Sequence, residues 1–422
     1  MNRPLLLTLL LLVTGGLVLG LCVVNPNRFT TVDSGYYLQS ATNLLNGQGY
    51  VICDNGQLIW NGIFPIGYSV LIALSSFLTN LSALWASKLV NLLAVGLSAI
   101  AWRYRIGTTR TLWLLSVWWL GGFLKILAST WSETVFLVVL AEWVWCLFRF
   151  LPEPTRWHSA RLFLVSCALF LLRYVGGYVV LTTMVLAGLS WLHRQRLERT
   201  LRLTFGRSVL VWLLICSLAA LTGFRAYFYL NNQLSGSPFG GERFLTTEPA
   251  PVLAHLFGQS LLNEVLLIRD FSPNQPAGLT WFGAGIQVFL LVGLSVRWRQ
   301  YTRGQEALPP LGALSRLFIL TGITYLIVLF GLRTVSPFSG PNLRLMAPAT
   351  FCLLTASLLW VSASSYLRRL VRPVWLVLLL CSWLQLLPQA DMSHKLNQIW
   401  PFTGQQASPG SSPSSPPVRS AH

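Results

Sequence analysis

Apolar runs long enough to cross about 30 Å of hydrocarbon recur along nearly the whole chain, and short arginine clusters separate many of them. A helix that is apolar on every side needs either lipid or a very large protein interior around it. Charged residues make up 10% of the 422 positions and hydrophobic ones 54%. A soluble fold would need many core helices almost without a polar face, so this pattern implies an all-α polytopic membrane protein.

The net charge of +18 at first suggests nucleic acid, but its placement argues otherwise. Arg103, Arg105 and Arg110 form one cluster, and Arg149, Arg156 and Arg161 another. Arg194, Arg196, Arg199, Arg202 and Arg207 follow, then Arg297, Arg299 and Arg303, then Arg368, Arg369 and Arg372. Basic residues confined to short loops between spans orient the helices against an anionic cytoplasmic leaflet. No soluble basic face with interleaved aromatics accompanies them.

Arg3 ahead of the first run puts the N-terminus inside, and no small-residue cleavage site follows, so residues 1–24 read as an uncleaved transmembrane anchor. If both 65–79 and 82–102 crossed, Arg103 and every later cluster would lie outside. Residues 65–79 are therefore expected to be an interfacial or re-entrant helix. Further spans are expected near 111–128, 133–150, 162–176, 177–192, 208–230, 278–296, 312–331, 344–364 and 374–390. The total is about eleven, within a range of 10–13. Around them fall an outer loop at 25–81 carrying interfacial helices, a transmembrane module at 82–230, a second outer loop at 231–277, C-terminal helices at 278–390 and a Ser/Pro-rich tail at 391–422. The tail's composition cannot offset the entropy of ordering it, so disorder is expected there.

In the first loop Tyr37, Ala41, Leu44 and Leu45 recur at helical spacing and Gly47 is a natural stop. VICDNGQLIW places Asp54-Asn55-Gly56 between apolar triplets, a hairpin signal, and Pro65 opens the next apolar helix. The seven cysteines have no C-x-x-C spacing and the five histidines never pair at ligand spacing, so no disulfide framework and no metal ligand set is read. A divalent metal is neither required nor excluded.

Acids are scarce and unevenly placed. Asp33, Asp54, Glu133, Glu242, Glu248, Glu264, Asp270 and Asp391, eight of the twelve, fall outside or at outer helix ends by this topology. Arg173, Arg333 and Arg344 also fall at outer ends, where positive-inside charge does not call for them, and Lys125 lies near the outer end of its span. Carboxylates beside such cations at one membrane face point to a site for an anionic headgroup with an acid or base next to it. Each residue also has a plainer reading. Asp33 suits the cap of a helix starting near Gly35, and Glu133 after Ser132 is an ordinary helix start. Arg173 and Arg344 can snorkel to the interface, and Tyr36 and Tyr37 suit an aromatic belt.

Four segments taken together, DSGYYLQSATNLLNGQGY, FPIGYSVLIAL, STWSETVFLVVL and LLRYVGGYVVL, resemble membrane glycosyltransferases of the GT-C fold. More narrowly they resemble the bacterial branch related to protein O-mannosyltransferases and the lipid A aminoarabinose transferase, over roughly residues 1–230. Some members carry two adjacent acids where this chain has Asp33-Ser34, so no second loop carboxylate is assigned. The resemblance implies transfer of a sugar from a polyprenyl-phosphate donor to a glycan, lipid or protein acceptor hydroxyl, with inversion, at the outer face of the cytoplasmic (inner) membrane. Asp33 would be the general base, since a phosphate leaving group needs no acid. Arg173, with Lys125 and Arg344, would bind the donor phosphate, and Glu133, Tyr36 and Tyr37 would support the site. Two other classes fit the same span count: an O-antigen-type polymerase or ligase, and a transporter or flippase. A polymerase or ligase usually keeps its basic cluster in a later loop, and a transporter would show half-to-half symmetry, which this sequence lacks.

Overall fold

A computed structural model of the chain describes residues 3–54, 56–239, 249–265, 285–296, 312–335 and 342–386. The expected tail at 391–422, parts of the 231–277 loop and the acids Glu242, Glu248, Asp270 and Asp391 lie outside the described residues. The chain runs α1 (Arg3–Val24), α2 (Val32–Leu45), the strands β1 (Val51–Asp54) and β2 (Gln57–Trp60), α3 (Gly67–Thr79) and α4 (Ala83–Ile106). Next come α5 (Thr108–Leu115), α6 (Gly121–Ala128), α7 (Glu133–Phe150), α8 (Arg156–Leu172), α9 (Tyr178–Leu201) and α10 (Val209–Ser235). Beyond them are α11 (Ala250–Val265), α12 (Gly285–Val296), α13 (Ala313–Val335), α14 (Leu343–Ala363) and α15 (Ser365–Ser382).

Six of these helices are long and apolar enough to cross a membrane, against about eleven expected spans, and seven if a bent pair is one span. The other four expected spans differ for identifiable reasons. The helix α7 has 18 residues but carries Glu133, Glu142 and Arg149, and α8 has only 17. Of the expected 278–296 only α12 is described. The helix α15 starts at Ser365, so its first half carries the Arg368, Arg369 and Arg372 cluster instead of lying beyond it. The bent pair falls on the expected 111–128 span, which turns by 79° between residues 108–119 and 121–128. Leu120 adopts extended backbone (φ −64°, ψ 136°) and breaks the helix there.

Residues 25–81 have the expected parts. The strands pair antiparallel in the register Val51↔Trp60 to Asp54↔Gln57, and Gly56 takes the positive φ of 80° that the tight turn requires. The helix α3, at 13 residues, is too short to span.

The helix α7 is the centre of the bundle. Among its residues Phe136, Leu137, Leu140, Trp143, Val144 and Leu147 have no solvent exposure, and α4, α6, α8, α13 and α14 pack around it. The Trp143 indole N–H donates to Ser166 Oγ on α8 at 3.0 Å, meeting the one polar demand of a buried tryptophan. The outer helices reverse the soluble pattern: Leu9, Leu12 and Val23 on α1, Leu93 and Leu97 on α4, and Val211, Ile215 and Leu218 on α10 all face outward. Apolar surface of this kind is what acyl chains solvate.

The bend before α6 depends on a close approach. The Gly121 N–H donates to Ser382 Oγ at 2.9 Å, and a Cβ on Gly121 would lie 1.9 Å from the Ser382 carbonyl oxygen. The Trp383 indole donates to the Trp119 carbonyl at 2.8 Å across the same joint. Gly121→Ala should therefore destabilise the protein by about 1–3 kcal/mol, whereas Gly96→Ala, with nothing within 4 Å of the added carbon, should be neutral or mildly stabilising. Denaturant titration of both variants in one detergent checks the contrast; equal stability would mean that the joint does not require glycine.

Candidate active site

The site begins with a turn that brings the end of α1 to the start of α2. Arg28 and Phe29 both take left-handed backbone (φ 48° and 52°), costly for residues with a Cβ. The Asn25 side chain offsets this by accepting the N–H groups of Asn27 and Phe29 at 3.0 and 3.2 Å. The Phe29 carbonyl, turned inward, accepts the Thr130 N–H at 3.2 Å. Thr31 is the N-cap of α2, and its N–H donates to Ser34 Oγ at 3.0 Å. Capping at Gly35 by Asp33 is thereby corrected: the helix starts three residues earlier, Asp33 is its second residue, and its carboxylate is left for another partner.

That partner comes from the other end of the chain. Asn342 caps α14 by accepting the Leu345 N–H at 3.2 Å, which puts Arg344 in the first turn. One guanidinium nitrogen of Arg344 donates to Asp33 Oδ2 at 2.5 Å, and its Nε donates to Glu133 Oε1 at 2.6 Å. The same Glu133 oxygen accepts from Arg173. Arg173 is the extended residue that ends α8 (φ −154°, ψ 132°), at the break that precedes α9. Asp33, Arg344, Glu133 and Arg173 thus form an alternating, electrically neutral row. Arg344 also lies over the Trp131 ring, 4.2 Å from its centroid, a cation–π contact.

Exposure is lowest at Glu133, inside the row, and highest at Asp33, at one end of it. The Glu133 side chain is 1% exposed, Arg173 15%, Arg344 20% and Asp33 36%. Burying a carboxylate this deeply is tolerated when paired, and two guanidinium groups supply the pairing. Glu133 Oε2 is buried and has no hydrogen-bond partner among the described residues. Asp33, in contrast, is the most exposed member of the row.

The segment 129–132, which leads into α7, is held from three sides. The Trp131 indole donates to Thr31 Oγ1 at 2.9 Å, and the Tyr37 hydroxyl lies 3.1 Å from Ser132 Oγ. From α4, Lys88 Nζ donates to the Ala128 carbonyl at 2.6 Å and to Thr130 Oγ1 at 2.8 Å, with Asn91 donating to the carbonyls of Leu127 and Ser129. Tyr37 is buried against Phe64 and Tyr68, so it is a core residue here and not part of an exposed belt. Burial, reinforced by the Glu133 charge, pushes its phenol up to about 12, so it stays a neutral hydrogen-bonding group. Tyr36 is half-buried, its ring 5.9 Å from that of Phe64. Lys125, half-buried on α6, takes no part in the ion pairs of Asp33 and Glu133.

Lys88 was not among the residues that sequence reasoning singled out, although the signal was there: a lysine within an apolar run needs a buried partner or water. Its 1% exposure and its contacts with the segment carrying Glu133 make it part of the scaffold of the site. Among the described residues no three His, Cys, Asp or Glu side chains are grouped to hold a metal ion.

No family model and no curated protein matches the sequence. Among solved structures, ArnT from Cupriavidus metallidurans bound to undecaprenyl phosphate is similar at 14% identity and a TM-score of 0.39, covering 85% of this chain and 77% of that one. The archaeal oligosaccharyltransferase AglB from Archaeoglobus fulgidus, in complex with an inhibitory peptide and a dolichol-phosphate, is similar at 13% identity and a TM-score of 0.48, covering 92% of this chain and 56% of that one. The A. fulgidus oligosaccharyltransferase in complex with Zn and sulfate gives 14% identity, a TM-score of 0.47 and coverages of 94% and 56%. This chain therefore spans just over half the length of the archaeal enzyme.

Proposed function

We propose that the protein is an integral membrane glycosyltransferase that moves a sugar from a polyprenyl-phosphate donor to an acceptor hydroxyl at the outer face of the cytoplasmic membrane. The observation that carries the reading is the Arg344 guanidinium shared between a half-exposed and a fully buried carboxylate, with Arg173 beside it. A row that ends in an accessible carboxylate and contains two fixed cations matches what phosphate departure with proton removal requires.

The chemistry assigns one task to each group. The acceptor oxygen attacks the anomeric carbon as the bond from that carbon to the phosphate oxygen breaks. The bonding pair leaves with the phosphate, and the acceptor's proton passes to Asp33 Oδ1, which makes no hydrogen bond among the described residues. Charge building on the departing phosphate is stabilised by Arg344 and Arg173, groups held in place before the reaction and therefore needing little reorganisation. Attack from the face opposite the phosphate inverts the anomeric centre. Glu133 holds both guanidinium groups in position.

Two substitutions separate these tasks. Asp33→Asn keeps size and a hydrogen-bond acceptor but removes the base; turnover of labelled sugar from polyprenyl-phosphate donors should fall by about 10²–10⁴-fold. Because the Asp33 carboxylate is 36% exposed and solvent screens its pairing with Arg344, stability should change by only about 0–1 kcal/mol. Wild-type turnover in this variant would remove Asp33 from the mechanism. Glu133→Gln, in contrast, leaves two guanidinium groups without their buried counter-charge and should cost about 3–5 kcal/mol of stability. A melting point within a degree of wild type would show that Glu133 does not organise the site.

A further inference from the structure

The helix α7 carries charge at both ends, and only one end belongs to the site above. Glu133 is its first residue and Arg149 lies in its last turn, about 24 Å along the axis at 1.5 Å per residue. That distance is close to the thickness of a hydrocarbon core, so the two ends lie near opposite boundaries of the bilayer. Trp157, 72% exposed one residue before His158, is the kind of side chain that sits at such a boundary.

At the Arg149 end is a cavity of about 180 Å³ lined by Trp145, Cys146, Arg149, His158 and Arg161. No acid is among the lining residues. The nearest carboxylate on α7, Glu142, is already taken: Arg105 from α4 lies 2.5 Å from one of its oxygens and Arg161 from α8 bonds the other. Arg105 also stacks on Trp102 and Trp145, 5.4 and 5.0 Å from the ring centroids, which fixes the cavity wall. His158 is held by its Nδ1, 2.8 Å from the Glu153 carbonyl oxygen, which leaves its other ring nitrogen without a hydrogen bond among the described residues. The Glu153 carboxylate is exposed and pairs with no cation among the described residues. Arg149 is likewise exposed, with no hydrogen bond or ion pair among the described residues.

Two helices therefore line a pocket that has no acid in its lining, whose nearest α7 carboxylate is already paired with two arginines, and whose rim cation Arg149 makes no ion pair among the described residues. We propose that this pocket binds a phosphate-bearing anion at headgroup depth, on the membrane boundary opposite the acid–arginine row. Arg149 and Arg161 would grip the phosphate oxygens, Arg149 directly and Arg161 through the nitrogens that Glu142 leaves free. The His158 ring would add a third donor, and the Trp145 face would pack against whatever carries the phosphate. A lipid headgroup and a free phosphate ester share this chemistry.

The test uses the full chain in phosphatidylcholine nanodiscs with and without phosphatidylglycerol, and separately with inorganic phosphate. Bound lipid is counted by native mass spectrometry and protection is followed by thermal melting. Arg149→Gln removes the unpaired cation without touching an ion pair, and Arg156→Gln removes an exposed arginine at the start of α8 that does not line the cavity. Wild type and Arg156→Gln should retain phosphatidylglycerol in preference to phosphatidylcholine, and Arg149→Gln should bind it about tenfold more weakly, the loss of one charge-assisted contact. Protection by phosphatidylglycerol alone assigns the pocket to lipid, and protection by inorganic phosphate as well assigns it to a soluble ester; either result upholds an anion site. Equal losses in both variants would reduce the effect to diffuse surface charge and overturn the proposal, as would the absence of any preference in the wild type.

Discussion

A single carboxylate, buried to 1% exposure at the start of the most enclosed helix, sets the arrangement around it. Glu133 could not remain ionised there without cations, and the chain supplies them from two distant places, 40 and 211 positions further along. Meeting that demand fixes the break between α8 and α9, because Arg173 must leave helical geometry to reach inward, and it fixes the entry of α14, because Arg344 must sit in its first turn. Removing either cation would leave a charge stranded in an apolar interior, which is more costly than never having placed one there.

The neighbouring segment 129–132 shows how polar groups are accommodated in such an interior. Ser129, Thr130 and Ser132 are all buried, and their backbone and hydroxyl groups are met by Lys88, Asn91, Ser87, Tyr37 and the Phe29 carbonyl. Every one of those partners lies on the segment 25–81 or in the opening turns of α4. That segment is therefore tied into the bundle by hydrogen bonds that have no water to compete with them, which makes each more valuable than on a wet surface.

Much of this was legible in the sequence, for physical reasons that can be named. The apolar runs, the hairpin at Asp54 and the interruption near Gly176-Gly177 each follow from local chemistry, and the structure has a helix, a strand pair and a helix break at those positions. What was not legible depended on long-range partners. Thr31 caps α2 in place of Asp33 because Ser34 reciprocates, a choice that weak local propensities do not decide. The 79° bend inside the expected 111–128 span comes from Gly121 meeting Ser382, more than two hundred residues away. Lys88 was passed over because its partners are a carbonyl oxygen and a hydroxyl, which leave no trace in a charge pattern. The pairing of Arg344 with both acids could not be read either, since composition gives the charges but not which of them meet.

The enclosure of α7 has a mechanical consequence. Helices that touch lipid answer a change in bilayer thickness by tilting. Only Arg149 among the residues of α7 is well exposed, so the helix has no lipid-facing side and can tilt only if its surrounding jacket moves with it. The spacing between its acidic first residue and its basic last turn is then governed by peptide rise, a rigid gauge held inside a softer shell. Membranes of different composition would strain the shell before they altered the gauge.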